Sequence, residues 1–104
     1  MVTRDVSSLK LPMTSRSVTV VNPLGLHARA AARFVHLATR FDSQVRVGRD
    51  SKVMDGKSIM GILLLAAARG TSLTITAEGP DEQAAVDALA QLVAAGFGEY
   101  AWNG

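Results

Sequence analysis

The residues best suited to chemistry lie in one short stretch, Asn22-Pro23-Leu24-Gly25-Leu26-His27-Ala28-Arg29. A strand-like run, Ser17-Val18-Thr19-Val20-Val21, leads into a turn holding Pro23 and Gly25. His27 follows, at the mouth of a helix that begins near Ala28. The first N–H groups of a helix have no partner within it, and the helix dipole places partial positive charge there. Such an end favours an anion. Arg29 adds a full charge two residues later, in a fork geometry that fits phosphate. Imidazole, arginine and helix mouth together suit a phosphoryl group carried on His27. A lone histidine beside a turn is more often a solvated or capping residue, so the remaining elements must decide.

Those elements follow in order. A helix is expected over about Ala28–Arg40, with Ala31, Phe34, Val35, Ala38 and Phe41 on its apolar face. His36 and Arg40 fall elsewhere on the wheel, so His36 is expected in solvent. Gln44–Gly48 and Lys52–Met54 read as a hairpin around Gly48-Arg49-Asp50-Ser51. Ser58 is a good N-cap for a second helix over about Ser58–Ala68, with Arg69-Gly70 closing it. Ile59-Met60-Gly61-Ile62-Leu63-Leu64-Leu65 is apolar on more than one face, which leaves core and docking readings open. Ser72–Ala77 alternates as a fourth strand. Pro80 or Asp81 opens a third helix, whose stripe is Ala85, Leu89, Leu92 and Val93 and whose end is Gly96. The order βαββαβα predicts an α+β open sandwich. Residues 1–15 read as a flexible N-terminal extension, 16–98 as one domain and 99–104 as a tail with Tyr100 and Trp102.

Composition narrows the function classes. The chain has 104 residues, which suffices for one core. It has no cysteine, so disulfides and thiolate metal sites are excluded, and a reducing cytoplasm is compatible. The two histidines are nine residues apart without a carboxylate at ligand spacing, so no metal site is expected. A net charge of +2 and scattered aromatics argue against nucleic acid. Residues 1–16 do not read as a signal peptide, and the apolar run at 62–68 is too short to span a bilayer.

Three segments then carry a resemblance: Gly25-Leu26-His27-Ala28-Arg29, Lys57-Ser58-Ile59-Met60-Gly61, and Ala77-Glu78-Gly79-Pro80-Asp81-Glu82. Over about residues 17–98 the chain resembles the HPr phosphocarriers of the bacterial phosphoenolpyruvate-dependent phosphotransferase system, including the nitrogen-branch NPr proteins. The resemblance implies a four-stranded antiparallel sheet covered on one face by three helices. It implies a stoichiometric carrier rather than a turnover enzyme, with no cofactor, cytoplasmic and expected as a monomer. His27 would take the phosphoryl group on Nδ1 from enzyme I and pass it to an enzyme IIA-type acceptor. Arg29 would be the active-site arginine, and Ser58 the target of an HPr kinase/phosphorylase. Ile59, Met60 and Leu63 would form the partner-docking patch. The alternative is a regulatory binding protein on the same fold that transfers nothing; the retained His27 and Arg29 argue against it. Two positions depart from the family: Ala30 replaces a proline, and Leu24 replaces a small polar residue found in some members. Leu24 and the Ala94–Gly98 ending lean toward the nitrogen branch, whereas Lys57–Gly61 leans toward kinase-regulated HPr proteins.

Overall fold

A computed structural model describes residues 13–99. Residues 1–12 of the expected extension and 100–104 of the expected tail lie outside the described residues. The elements are β1 (Thr14–Thr19), α1 (Ala28–Ala38), β2 (Gln44–Arg49), β3 (Lys52–Asp55), α2 (Ile59–Leu64), β4 (Ser72–Glu78) and α3 (Glu82–Ala94), followed by a 3₁₀ turn at Gly96–Gly98. The four strands run in the order β1-β4-β2-β3, every pair antiparallel. Alternation along the strands sends Val45, Val47, Leu73, Ile75 and Ala77 into the core. Ser15, Ser17, Ser72 and Thr74 remain on the open face. The helices pack on the apolar face only, giving an open-faced α+β sandwich.

The apolar stripe expected on α1 is present: Ala31, Phe34, Val35 and Ala38 are buried and Phe41 is half-buried. On α3, Ala85, Leu89 and Val93 are buried while Leu92 is half-buried. Three expectations need correction. The first strand starts at Thr14 and ends at Thr19, so residues 14 and 15 belong to the sheet rather than to an extension. Thr14 is fixed there by pairing with Ala77 and by its hydroxyl, which donates to Glu82 Oε2 at 2.8 Å. Next, α2 stops at Leu64 instead of near Ala68. Ala66 turns to φ 49, a left-handed conformation that costs a non-glycine residue about 1–2 kcal/mol. The Arg49 guanidinium offsets this by donating from Nη1 to Leu65 O at 2.7 Å and Ala66 O at 2.8 Å. Finally, Gly70, with φ 92, turns the chain into β4 rather than closing α2.

Asp81 ties the start of α3 to the start of β2. Its carboxylate accepts from the Asp42 N–H at 2.8 Å, from the Ser43 N–H at 2.9 Å and from the Ser43 hydroxyl. The Ser43 hydroxyl and then these backbone donors hold the carboxyl below its ordinary value of 3.8. A carboxyl depressed in the folded state adds stability above its unfolded value and loses it as the pH falls through the folded one. Asp81→Asn is therefore expected to lower the melting temperature at neutral pH. The gap to wild type should close as the pH drops below 3.8, which melts at stepped pH will read. A gap that persists unchanged in acid would mean that the ionised form contributes nothing.

Candidate functional site

His27 stands where the loop after β1 enters α1, and the loop is shaped to put it there. Gly25 has φ 64, and a Cβ on it would lie 2.5 Å from the Ala67 carbonyl oxygen, so the residue must be glycine. That same carbonyl accepts from the Leu26 N–H at 2.9 Å. The His27 N–H donates to Gly25 O at 2.9 Å. Asn22, 3% exposed, donates from Nδ2 to Gly25 O at 2.8 Å and to Glu99 Oε1 at 2.7 Å. Two oxygen acceptors on one nitrogen fix the orientation of the amide.

His27 is the N-cap of α1, in extended backbone at φ −75, ψ 177. Its Nδ1 accepts from the Arg29 N–H at 3.3 Å, and its Nε2 lies 3.7 Å from Glu99 Oε2. An Nδ1 that accepts has its lone pair directed at the helix mouth. In the neutral ring the proton therefore sits on Nε2, toward the carboxylate. The imidazole is 26% accessible and the Glu99 side chain 12%. The ring is thus open to a partner while its back is held by protein.

The Arg29 side chain is exposed and lines an open groove on the outer side of α1 with Arg33, His36 and Arg40. The solvent position expected for His36 is the one observed. Ala30, in the family's proline position, is fully buried in a first turn that forms without it. Leu24 is exposed in the same loop as His27.

Ser58 caps α2 as expected: its Oγ accepts from the Gly61 N–H at 3.0 Å. Of the three apolar residues expected on the docking face, Ile59 is 44% exposed and Met60 68%, but Leu63 is half-buried against the core. Leu64, 58% exposed, takes the outward place. Leu63 faces inward and packs against the core. Sequence reading missed Asn22, Glu99 and Arg49. Asn22 stood where the expected first strand meets the turn, Glu99 lay in the expected tail, and Arg49 lay in the expected hairpin turn; none has a local signal of its long-range partner.

No helix among the described residues is long and apolar enough to cross a membrane. The family model described as "PTS HPr component phosphorylation site" matches residues 14–95. Fold and family model together define a small phosphocarrier of the phosphotransferase system. The phosphocarrier protein HPr of Cupriavidus necator is 51% identical over 87 residues, which cover 84% of this chain and 98% of the relative. The phosphocarrier protein NPr of Shewanella violacea is 40% identical, over 81% of this chain and 92% of its own. The crystal structure of HPr from Thermoanaerobacter tengcongensis superposes with a TM-score of 0.79 at 42% identity, over 82% of this chain and 96% of that one. The chain belongs to the HPr family.

Proposed function

We propose that His27 carries the phosphoryl group, taken from enzyme I charged by phosphoenolpyruvate and given to an enzyme IIA-type acceptor. The observation that carries this reading is the placement of Nδ1 at the mouth of α1, with Nε2 set against Glu99. In transfer, the Nδ1 lone pair attacks phosphorus and an N–P bond forms. The bond from phosphorus to its donor breaks, and its electron pair stays with the donor. The Arg29 N–H, released from Nδ1, then faces the phosphoryl oxygens at the positive end of the helix. The ring keeps its Nε2 proton and gains positive charge, which the Glu99 carboxylate offsets. Onward transfer reverses these steps, and the carrier works once per phosphoryl group, as a cytoplasmic monomer. Incubation with phosphoenolpyruvate and enzyme I should add one acid-labile phosphoryl group to the intact mass, and an enzyme IIA-type domain should remove it. A chain that stays unmodified would remove the reading.

Arg29 assists electrostatically through its side chain, whereas the cap bond to His27 uses only its backbone. Arg29→Ala should slow transfer about 10–100-fold while the melting temperature holds. Stopped transfer assays in both directions will read this, and equal rates would exclude the role.

Ser58 is the regulatory position in this reading. A phosphate there brings nearly two negative charges to the edge of an apolar face formed by Ile59, Met60 and Leu64. That face has to lose water for enzyme I to dock, so the charge weakens docking rather than folding. The helix N-terminus accommodates it. Ser58→Asp is expected to slow labelling of His27 by about tenfold, with small change in stability. Equal labelling rates would leave Ser58 as a helix cap alone.

A further inference from the structure

Arg49 does something that neither its place in a hairpin nor the chemistry of the site explains. It closes β2, and its guanidinium reaches away from the hairpin to the far end of α2. Nη1 donates to the last carbonyls of that turn, Leu65 O and Ala66 O, at 2.7 and 2.8 Å. Lys52, its cross-strand neighbour, brings Nζ to 3.5 Å from Leu64 O. Two facing cations thus meet three successive carbonyls at the negative end of a helix of six residues. Backbone bonds from the Leu65 N–H to Ile62 O at 3.2 Å and from the Ala66 N–H to Leu63 O at 3.0 Å close its last turn, and Ala66 leaves it in a left-handed conformation at φ 49. The next carbonyl, Ala67 O, is the acceptor for the Leu26 N–H at 2.9 Å and the atom against which Gly25 is packed. Leu26 precedes His27 directly.

We infer that Arg49 is a positioning residue for phosphoryl transfer: by holding the Leu65 and Ala66 carbonyls it sets Ala67 O, and through the Leu26 N–H it sets the place of His27. This rests on His27 being the carrier. Arg49 touches neither the imidazole nor the helix mouth; it acts through a backbone that connects the α2 end to the loop before α1. Because reacting atoms tolerate little misplacement, loss of this hold acts on the transfer step more than on docking.

The test uses the full chain with Arg49→Met, which keeps the stem and removes the donors, and Arg49→Lys, which restores a cation with donors. Amide exchange is followed by nuclear magnetic resonance, and enzyme I-dependent labelling is followed across carrier concentrations. In Arg49→Met, exchange at the Leu26 amide should accelerate about tenfold beyond any change at the amides of β4. The limiting transfer rate should fall by about tenfold, with a smaller change in the half-saturating concentration. Arg49→Lys should recover most of both. Equal acceleration at Leu26 and β4 would reduce Arg49 to a contributor to global stability and overturn the inference. So would an accelerated Leu26 amide with an unchanged transfer rate. Should Arg49→Met not fold, Arg49→Gln, a neutral donor of shorter reach, takes its place with the same two outcomes. Labelling of the wild type is measured first: its absence would overturn the His27 reading, while exchange at Leu26 would still report on Arg49.

Discussion

Replacement of His27 is expected to abolish enzyme I-dependent labelling completely, while replacement of His36 leaves it at the wild-type level. The two histidines differ in every respect that matters. His27 caps α1 and directs Nδ1 into the helix mouth, whereas His36 lies exposed near the other end of the helix. The choice of variant decides how cleanly the result reads. His27→Ala also removes a cap, which costs about 0.5–2 kcal/mol. His27→Asn keeps a good capping side chain and offers no imidazole nitrogen. It should therefore melt close to wild type and still accept nothing. Acid-labile phosphate on His27→Asn would place the carrier elsewhere.

Phe97→Ala should be the most destabilising of the substitutions considered, by about 3–5 kcal/mol in chemical denaturation. The ring is fully buried although its backbone lies at φ 58, between Gly96 at φ 65 and Gly98 at φ 73. Three successive left-handed residues fold the chain back after α3. The buried ring holds that reversal, and the reversal delivers Glu99 to Asn22 at 2.7 Å and to within 3.7 Å of His27 Nε2. The variant should thus lose stability and transfer together. Phe97→Leu, which refills most of the volume, should lose much less of both. A loss below about 1 kcal/mol in Phe97→Ala would mean that the turn is held by the two glycines instead.

The fold was legible wherever a short-range pattern carried it. The alternation in Ser72–Ala77 and the spacing of Ala31, Phe34, Val35 and Ala38 gave the layers and the core faces. Ser58 and His27 both stand at helix starts because their caps are local, three and two residues long. What could not be read was made by distant partners. The apolar run through Leu65 gives no sign that Arg49 and a left-handed Ala66 end the helix early. The exchange of Leu63 for Leu64 on the outer face depends on how α2 lies against the sheet. Asn22 and Glu99 are 77 residues apart, and the Gly96–Gly98 reversal brings them together.

Phosphoryl transfer turns on one atom, Nδ1 of His27. Nuclear magnetic resonance of the ¹⁵N-labelled protein after phosphorylation by enzyme I and phosphoenolpyruvate locates the N–P bond. With Nδ1 accepting from the Arg29 N–H and Nε2 against Glu99, the bond is predicted on Nδ1 of His27, with the proton retained on Nε2. Phosphorus on Nε2 would contradict the account, because it would put the phosphoryl group against the Glu99 carboxylate and away from the mouth of α1.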